Sequence, residues 1–519
     1  MNFTQPLHRA LQQHPDRVAT IFGERRRSFR QHADRIARLA GALQALGMKT
    51  GDRIAMLGLN SDRFWEYVVA VPWGGGVINP CNLRWSAVEI RYSLTDSGSQ
   101  ILIVDDNFKH LAAELSGDDS PVKVLIHAGD GPAPEGMLSF ERLIADTDPV
   151  SDAGRMGNDL FGIFYTGGTT GAPKGVMLSH LNFMVSALAS TTEDMFTRPG
   201  NCLHVAPMFH LADLSLGCSH WILGNTHCVI PAFSPEAVID AIENERVTEM
   251  VLVPTMVQML VDHPAMHEGR DLSSLKHIIY GGSAIAEAVI ERALAAIPST
   301  RFVQAYGMTE LSPLATILPA FYHTVEGRKL GKMGATGRAG ACVEIRIVDP
   351  DGHMLPSGEK GEIIVRGPNV MLGYWNKPEQ TAEVIREGWM HTGDAGYLDD
   401  EGFLYVVDRI KDMIVSGGEN VYSAEVENAL AQHPAVQSSA VIGIPSAKWG
   451  ESVHAFVIFK PNVTATGEDL FAHCKQLIAG YKCPRSFDFV IELPLSGPGK
   501  VLKTELRKKY WEGRDRLVS

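Results

Sequence analysis

The chain has 519 residues, too many for one hydrophobic core, and this length predicts two to four structural units. Its hydrophobic content of 45% and charged content of 21% are typical of a globular enzyme. The net charge of -13 argues against a nucleic-acid partner, because binding a phosphate backbone requires a basic face. A small phosphorylated molecule needs only a local positive field, so this charge does not exclude one.

The cysteines and the apolar segments predict a cytoplasmic protein. Seven cysteines are scattered along the chain without a Cys-x-x-Cys spacing, which favours buried thiols in a reducing compartment over disulfides or a zinc site. Residues 1–10 lack the apolar core of a secretory signal. The longest apolar stretch, residues 67–78, contains Pro72 and three glycines, so we expect no transmembrane segment.

The first 150 residues alternate helical and strand patterns, as an α/β domain does. Apolar residues at helical spacing predict a helix over residues 31–46, which Gly47 would end. Short apolar runs predict strands at residues 53–57, 101–104 and 122–126, with the composition of parallel strands.

The alternation continues between residues 160 and 330, where apolar runs predict strands at 203–205, 226–230, 250–253 and 277–280. The runs at 343–348, 362–366 and 403–407 are instead separated by Asp-Gly, Ser-Gly and Asp-Glu-Gly turns, which indicates hairpins. A charged and glycine-rich junction follows. We therefore place an N-terminal domain at residues 1–408 and a small α+β C-terminal domain at residues 409–519.

A loop suited to a phosphate group interrupts the pattern at residues 165–175, where the chain reads Tyr-Thr-Gly-Gly-Thr-Thr-Gly-Ala-Pro-Lys-Gly. The apolar run before it predicts a buried strand. Glycines let backbone N–H groups approach an anion, the threonines add hydroxyl donors, and Lys174 adds a positive charge. The loop does not have the Walker A spacing. A flexible surface loop is the alternative, although a linker needs neither the lysine nor the clustered hydroxyls.

This string resembles the signature of the adenylate-forming acyl-CoA synthetases, the superfamily of the fatty-acid–CoA and 4-coumarate–CoA ligases. The family usually has Ser where this chain has Gly167, so the hydroxyl donors are those of Thr166, Thr169 and Thr170. The resemblance covers essentially the whole chain, with at least five separated motifs in the family order. It implies an α/β fold: a large N-terminal domain of two α/β subdomains plus a small β subdomain, and a small mobile α+β C-terminal domain.

Residues 304–310, Gln-Ala-Tyr-Gly-Met-Thr-Glu, match the second signature of the family. By resemblance, Tyr306 stacks on the adenine, Thr309 bonds the phosphate and Glu310 holds the magnesium ion. A carboxylate beside a triphosphate is repulsive unless a hard cation lies between them. A strand end with a helix capping box is the alternative. Ala305 replaces a glycine that is common in the family, and its methyl group would narrow or shorten an acyl pocket.

Asp394 and Arg409 are expected at the ribose. Asp394 ends the string Trp-Met-His-Thr-Gly-Asp, which resembles an element of the acyl-CoA ligases, and a carboxylate can accept from both ribose hydroxyls. The residues expected to bind ATP or AMP are Thr166, Gly167, Gly168, Thr169, Thr170, Gly171, Lys174, Gly281, Gly282, Ser283, Gln304, Ala305, Tyr306, Gly307, Thr309, Asp394, Arg409 and Lys500.

Lys500 and His210 complete the expected catalytic set with Thr309 and Glu310. Lys500 matches the C-terminal lysine of the family, which would stabilise the charge that develops as the carboxylate meets the α-phosphate. His210 occupies the family's Pro-x-x-His position, where its ring would line the pocket and gate access. Asp213 could tune His210, cap a helix or favour a polar substrate tail, and we favour capping.

The resemblance also implies that the C-terminal domain rotates between two half-reactions in one site, and it places the hinge at Lys411. Gly417 and Gly418 would leave room for the pantetheine arm of CoA. Trp449 and Arg84 fall where some relatives contact the CoA nucleotide.

The resemblance implies an enzyme that joins a carboxylic acid to CoA, uses ATP, Mg²⁺ and CoA, and releases AMP and diphosphate. The pocket residues are compatible with a medium- or long-chain fatty acid or an aryl acid. The alternatives are a ligase that loads a carrier protein or another acceptor, a luciferase-like oxygenase, and a non-catalytic ATP-binding module. The presence of Glu310, Asp394 and Lys500 argues against the module. The family also suggests a homodimer.

Overall fold

The structure, a computed structural model, describes residues 1–117, 119–167, 173–282, 285, 287–417, 419–495 and 501–512. It alternates helices and strands up to residue 323 and then becomes richer in antiparallel strands. The α-helices of these ranges are α1 Gln5–Gln13, α2 Phe29–Ala45, α3 Asp62–Trp73, α4 Ala87–Ser97, α5 Ala112–Leu115, α6 Phe140–Asp146, α7 His180–Ser190, α8 Leu211–Leu223, α9 Pro235–Glu245, α10 Pro254–Val261, α11 Glu287–Ala296, α12 Val325–Arg328, α13 Pro378–Val384, α14 Ser423–Ala431, α15 Gly467–Leu477 and α16 Lys503–Trp511.

The strands follow the same order along the chain. Those of the first half are β1 Val18–Phe22, β2 Arg25–Ser28, β3 Arg53–Leu57, β4 Val77–Pro80, β5 Ile101–Val104, β6 Val124–His127, β7 Leu138–Ser139, β8 Leu160–Thr166, β9 Lys174–Ser179, β10 Asn201–His204, β11 Thr226–Val229 and β12 Glu249–Leu252. Those of the second half are β13 His277–Gly281, β14 Arg301–Gly307, β15 Leu314–Leu318, β16 Arg338–Ala339, β17 Glu344–Val348, β18 Gly361–Arg366, β19 Gly373–Tyr374, β20 Ile385–Arg386, β21 Trp389–Leu398, β22 Leu404–Arg409, β23 Ile414–Ser416, β24 Glu419–Val421, β25 Val436–Ser446, β26 Gly450–Phe459 and β27 Ser486–Phe489.

The local sequence signals locate these elements well. The helix predicted over residues 31–46 is α2, which begins earlier because Ser28 and Gln31 form a reciprocal capping box. The strands predicted at 53–57 and 101–104 are β3 and β5 with the same bounds, and the other predicted strands differ from the observed ones by one or two residues. Cap geometry and short turns shift such boundaries, because periodicity alone does not mark them.

Two large sheets form the N-terminal part. One has the order β19-β9-β8-β4-β3-β5-β6-β7, in which the strands from β8 to β7 are parallel. The other has the order β16-β15-β14-β13-β12-β10-β11-β1-β2 and is parallel from β14 to β1. In open α/β sheets, ligands bind at the carboxyl ends of parallel strands, so the ends of β8, β13 and β14 are where a site is expected.

Antiparallel strands form the two smaller units. Strands β17, β18, β21, β20 and β22 make the predicted hairpin-rich sheet, and the last sheet contains β24, β23, β26, β25 and β27. Helices α14 and α16 pack on the last sheet, which has a hydrophobic core of its own. The predicted domain boundary at residue 408 falls within β22 and stays a prediction.

Aromatic packing joins the two large sheets. Helices α7 and α8, one from each α/β unit, pack on each other. Phe161 of β8 stacks on Phe183 of α7 with 5.0 Å between the ring centroids. Trp65 of α3 makes an edge contact with Trp221 of α8. These contacts form one core from elements that are distant in the chain, and this core supports the strand ends that carry the site.

The cysteines are free thiols, as the sequence predicts, and all but one of them are buried. Six of the seven cysteines are buried as free thiols, and Cys342 is exposed. Among the described residues, no helix has the length and the apolar character needed to cross a membrane.

A buried carboxylate also ties the two sheets together. The Asp62 side chain, at the start of α3, has 0% of its surface exposed. Arg25 of β2 binds it through two nitrogens at 2.9 and 3.0 Å, and Arg27 donates a further hydrogen bond. Burial alone would raise the pKa of Asp62, but these two arginines outweigh burial and lower the pKa to about 2.

Replacing Asp62 with Asn should lower the free energy of unfolding by about 3 kcal/mol, because two arginines would lose the carboxylate they share in a buried position. The contribution of Asp62 is present above the pKa of an unfolded aspartate, about 4. It is lost as the pH falls towards the folded value of about 2. Urea unfolding of wild type and variant, at about pH 7 and at about pH 3, measures both effects.

Asp34→Asn is the matched control. Its carboxylate also pairs with an arginine, Arg38, at 2.8 Å, but both side chains are partly exposed. This change should cost no more than about 0.5 kcal/mol. Equal losses for the two variants would contradict a special role for the Asp62 cluster.

Candidate active site

The predicted phosphate loop joins β8 to β9. These strands form an antiparallel hairpin in which Thr166 lies opposite Lys174. Thr166 and Gly167 therefore lie at the same end of the hairpin as Lys174. The other predicted members of the loop lie outside the described residues, and their roles stay predictions: Gly168, Thr169, Thr170 and Gly171.

Lys174 lies against Tyr374, a residue that the sequence reasoning missed. Its Nζ is 4.9 Å from the centroid of the Tyr374 ring, which is a cation–π distance. The Tyr374 hydroxyl donates a hydrogen bond of 2.9 Å to Oε1 of Glu310. One side chain therefore contacts both the predicted phosphate-binding cation and the predicted metal-binding carboxylate.

Glu310 is a buried carboxyl group, with 7% of the residue exposed. It lies in the 3-10 turn Thr309–Leu311, directly after β14. Burial raises the pKa of Glu310, and the hydrogen bond from Tyr374 and the charges of Arg409 and Lys174 only partly oppose this. A hard cation binds carboxylate oxygen and would offset the cost of burying this charge. The environment of Glu310 therefore fits a magnesium ion.

Two predicted glycines are required by close backbone approach. Tyr280 and Gly281 of β13 pair with Gln304 and Ala305 of β14. A Cβ on Gly281 would lie 2.1 Å from the carbonyl oxygen of Ala305, and one on Gly307 would lie 1.7 Å from a backbone oxygen of the following turn. Both distances are impossible for real atoms, so glycine is required at Gly281 for close pairing of β13 with β14 and at Gly307 for the close approach of the following turn.

The neighbouring predicted residues extend this surface. Gly282 follows β13 with a φ of 80°, a conformation that favours glycine. Ser283 lies outside the described residues. Tyr280 is buried, and its hydroxyl group is 2.8 Å from Nε2 of His323, a partner that the sequence did not indicate.

Asp394 brings together the residues predicted for the ribose and the adenine. The Tyr306 hydroxyl donates to Asp394 Oδ2 at 2.8 Å, and Arg409 Nε is 3.4 Å from Asp394 Oδ1. Asp394 and Arg409 are direct partners in the β21–β22 ladder. Burial, together with the charge of Asp394, raises the pKa of Tyr306, so this hydroxyl keeps its proton. Each carboxylate oxygen has a further lone pair for a ligand hydroxyl.

The loop that carries His210 is held by a side chain from the loop after β3, a strand of the other large sheet. His210 is the N-cap residue of α8 and follows the loop after β10. Asn60 donates to the carbonyl oxygen of Ala206 at 2.9 Å and accepts from the backbone N–H of Met208 at 2.8 Å. Asn60 is 3% exposed, so water competes little for these bonds. The amide of Asn60 therefore clamps the backbone before His210.

Asp213 does not have the predicted capping role. It lies in the first turn of α8, but the side chain is fully buried and bonds Nδ1 of His204 at 2.5 Å. Nε2 of His204 in turn lies 2.8 Å from Nδ1 of His227. Burial raises the pKa of Asp213, against the lowering effect of His204. The prediction was wrong because the helical position suggested a local bond, whereas the partner is on the preceding strand.

The residues predicted to bind CoA lie on two different units. Gly417 donates its backbone N–H to the carbonyl oxygen of Trp449 at 2.8 Å, and a Cβ on Gly417 would lie 2.9 Å from the Trp449 ring. Trp449 is 42% exposed, with Nζ of Lys448 4.6 Å from its ring centroid. Gly418 lies outside the described residues. Arg84 lies in an exposed loop of the N-terminal part, before α4.

The predicted hinge is a short turn between two sheets. Lys411 lies in the 3-10 turn Ile410–Asp412, which connects β22 to β23. Burial lowers the pKa of Lys411. Asp412 accepts a hydrogen bond of 2.7 Å from Arg507 of α16, and Asp408 accepts one of 2.7 Å from the hydroxyl of Ser423 in α14. Residues on both sides of Lys411 thus contact the C-terminal helices.

Several site residues had no recognisable sequence signal. Tyr374 is 64 residues from Glu310 in the chain and 200 from Lys174, and Asn60 is about 150 residues from the loop that it clamps. Periodicity and motif spacing report on neighbours in the chain, and these contacts depend on strand order. Lys500, the predicted catalytic lysine, lies outside the described residues.

Comparisons with known proteins agree with this architecture. The family described as "AMP-binding enzyme" matches residues 7–375, and "AMP-binding enzyme C-terminal domain" matches residues 425–500. The chain is 39% identical over 459 residues to a feruloyl-CoA synthase of an Amycolatopsis species, covering 88% of each chain. It is 35% identical over 467 residues to the fatty acid–[acyl-carrier-protein] ligase ScoC of Streptomyces coeruleorubidus, covering 89% of this chain and 88% of that protein.

The fold of this chain also matches a solved structure. The o-succinylbenzoate CoA synthetase MenE of Bacillus subtilis, in complex with the acyl-adenylate intermediate OSB-AMP, superposes with a TM-score of 0.85. The two sequences are 31% identical, and the match covers 96% of this chain and 97% of that chain. The fold class, the family and the enzyme class expected from the sequence are confirmed.

Replacing Asn60 with Ala should loosen the backbone before His210. The variant loses two hydrogen bonds, each worth about 1 kcal/mol. We therefore expect amide hydrogen exchange in residues 205–210 to become at least about tenfold faster, since about 1.4 kcal/mol corresponds to that factor. Exchange followed by mass spectrometry of peptides from the folded full-length chain measures this.

Asn225→Ala is the matched control, since the Asn225 amide also clamps a backbone segment, at Thr197 and Gly200. It should accelerate exchange in residues 197–200 and leave 205–210 unchanged. Unchanged exchange of residues 205–210 in Asn60→Ala would show that the clamp does not hold the loop.

Proposed function

The chain belongs to the AMP-binding enzyme family, the adenylate-forming acyl-CoA synthetases, and we propose that it joins a fatty or aryl carboxylic acid to CoA through an acyl-adenylate. The observation that carries this proposal is the convergence of Tyr306, Asp394 and Arg409 beside Glu310 and Lys174. That set combines an aromatic ring, a hydroxyl-accepting carboxylate, a buried metal-binding carboxylate and a cation. Together these groups are suited to bind the adenine, the ribose, the metal ion and the phosphates of ATP.

The nucleoside is the part of ATP for which the site is best organised. Asp394 accepts the ribose hydroxyls, and Arg409, 3.4 Å away, holds the carboxylate in place. The ring of Tyr306 is oriented by its hydrogen bond to Asp394, so its face is available to stack on adenine. Gly281 and Gly307 let the adjacent backbone segments pack closely at these strand ends, beside the proposed position of the base.

The phosphates lie towards the β8–β9 hairpin in this proposal. Thr166 and Lys174 at the hairpin mouth and Thr309 after β14 donate to phosphate oxygens. Glu310 holds the magnesium ion, which when bound neutralises charge on the phosphate oxygens.

The chemistry then proceeds in two balanced steps. A carboxylate oxygen attacks the α-phosphorus of ATP, and diphosphate leaves, which gives the acyl-adenylate. Lys500, a residue predicted from the sequence alone, stabilises the charge that develops at this step. The CoA thiol then loses its proton to solvent and attacks the acyl carbon, and AMP leaves with the electron pair of the broken C–O bond. No covalent acyl-enzyme is needed, and the buried cysteines take no part.

His210 and the C-terminal domain serve the second step. Asn60 holds the loop of His210, whose ring lines the path between the carboxylate and the thiol. Rotation at Lys411 brings Gly417 and Gly418 to the pantetheine arm. Trp449 and Arg84 contact the nucleotide of CoA. The homodimer and the cytoplasmic location expected from the sequence stay predictions.

A carrier protein is the second candidate acceptor. The relative ScoC is named as a ligase of fatty acids to acyl-carrier protein, and it matches most of this chain. Feruloyl-CoA synthase, by contrast, is named for an aryl acid and for CoA. Both acid classes and both acceptors therefore belong in one assay.

The reaction is tested by measuring diphosphate release and AMP formation across a panel of fatty and aryl acids, with and without CoA. We expect one acid class to give AMP and a CoA thioester. Diphosphate release that CoA does not change would exclude CoA as the acceptor, and a purified acyl-carrier protein would then replace it. If no acid in the panel causes diphosphate release, the proposed reaction is contradicted.

Two substitutions should separate the half-reactions. Lys500→Ala should abolish adenylation and leave thioesterification of a supplied acyl-adenylate largely intact, because the lysine acts only at the α-phosphate. Lys411→Pro should do the converse, because a fixed φ at the hinge blocks the rotation. Rapid-quench assays of each half-reaction measure this. Equal loss of both half-reactions in either variant would exclude domain alternation.

A further inference from the structure

We propose that Tyr374 is a positioning residue that holds Lys174 and Glu310 apart and aligned, so that one binds phosphate and the other binds the metal ion of the nucleotide. This inference rests on the proposed function. It concerns a residue to which the proposed reaction assigns no role, and its evidence is a pairing of two short strands from distant parts of the chain.

Strand register places Tyr374 beside Lys174. Tyr374 of β19 is the direct antiparallel partner of Val176 in β9. Residues two apart in a strand point to the same face, so Lys174, Val176 and Tyr374 share one face of the sheet. The backbone N–H of Trp375 also donates to the carbonyl oxygen of Gly175 at 2.7 Å, which continues the pairing. The Tyr374 ring therefore lies beneath the ammonium group of Lys174, at 4.9 Å.

The same segment binds Glu310 twice. The Tyr374 hydroxyl donates to the carboxylate at 2.9 Å, and the backbone N–H of Met371 donates to the carbonyl oxygen of Glu310, also at 2.9 Å. Tyr374 is 6% exposed. Both the main chain and the side chain of Glu310 are thus oriented by residues 371–374.

Lys174 and Glu310 contact different parts of Tyr374. Among the described residues, no salt bridge joins Lys174 to Glu310. Instead the ammonium group meets the ring face and the carboxylate meets the hydroxyl group. The ring face attracts the cation, and the hydroxyl group occupies only one carboxylate lone pair, so that others can bind a metal ion. Tyr374 thus preorganises both groups, which lowers the cost of ordering them on binding.

Tyr374→Phe tests this role because it removes only the hydroxyl group and keeps the ring beneath Lys174. The probe is α,β-methylene-ATP, whose α–β bridge cannot be cleaved in adenylation. Calorimetry gives the dissociation constant of this probe in EDTA and in excess Mg²⁺. The constant in EDTA divided by the constant in Mg²⁺ measures how much the metal ion strengthens binding. We expect that ratio to fall at least fivefold in Tyr374→Phe, while the constant in EDTA changes less than twofold.

A double-substitution cycle with Glu310→Gln identifies the route of the effect. If Tyr374 acts through Glu310, the Tyr374→Phe, Glu310→Gln double variant should have the same ratio as Glu310→Gln alone. Tyr405→Phe is the matched control, because its hydroxyl group also donates to a carboxylate, that of Asp399, at 3.4 Å. This control should leave the ratio unchanged.

Each outcome decides the proposal. An unchanged ratio in Tyr374→Phe overturns it, as does an additive loss in the double variant, which would mean that Tyr374 acts independently of Glu310. A lower melting temperature with equal losses in EDTA and in Mg²⁺ would assign Tyr374 a merely structural role, and this also overturns it.

The measurement uses neither a carboxylic acid nor CoA. It can therefore succeed even if the proposed ligase reaction is not found. If the wild-type chain does not bind α,β-methylene-ATP at all, both the nucleotide site and the role of Tyr374 are excluded.

Discussion

The burial of the Glu310 carboxyl group is the constraint on which the rest of the site depends. A carboxylate removed from water requires compensation, and burial here raises its pKa. The surroundings supply part of this compensation through the Tyr374 hydroxyl group and the positive charges of Arg409 and Lys174. A hard cation would provide the remainder, in agreement with the metal–nucleotide complex that we propose for this site.

Glu310 lies where the strand ends of two sheets come side by side. The β8–β9 hairpin belongs to one sheet and the strand ends of β13 and β14 to the other. Packing of α7 on α8 and the buried aromatic core hold the sheets together, and Asp62 adds a charged link at the periphery. Asn60 extends the same principle to His210, because a side chain near one sheet clamps a loop of the other. The geometry of the site therefore depends on the packing between the sheets.

Strings of adjacent residues made much of this site predictable. The glycine- and threonine-rich loop and the segment ending in Thr309 and Glu310 each contain their chemistry within a few residues. Asp394 was predictable because it ends the string Trp-Met-His-Thr-Gly-Asp, and Arg409 because it lies in the string Asp-Arg-Ile-Lys-Asp-Met at residues 408–413. Asp213 shows the limit of such reasoning: its place in the first turn of a helix suggested a cap, and the structure pairs it with His204 instead. A position in a helix limits the local hydrogen bonds that a side chain can form, but it does not identify a partner on another element.

The sequence by itself determined the family, the order of the elements and the chemical type of the groups that meet at the site. It did so because propensity, periodicity and motif spacing act between residues close in the chain. Only the tertiary structure decided that Tyr374 lies between Lys174 and Glu310, that Asn60 holds the loop of His210, and that Glu310 is buried. These features depend on strand order and register and on the packing of two sheets, which bring together residues separated by 64 to 200 positions.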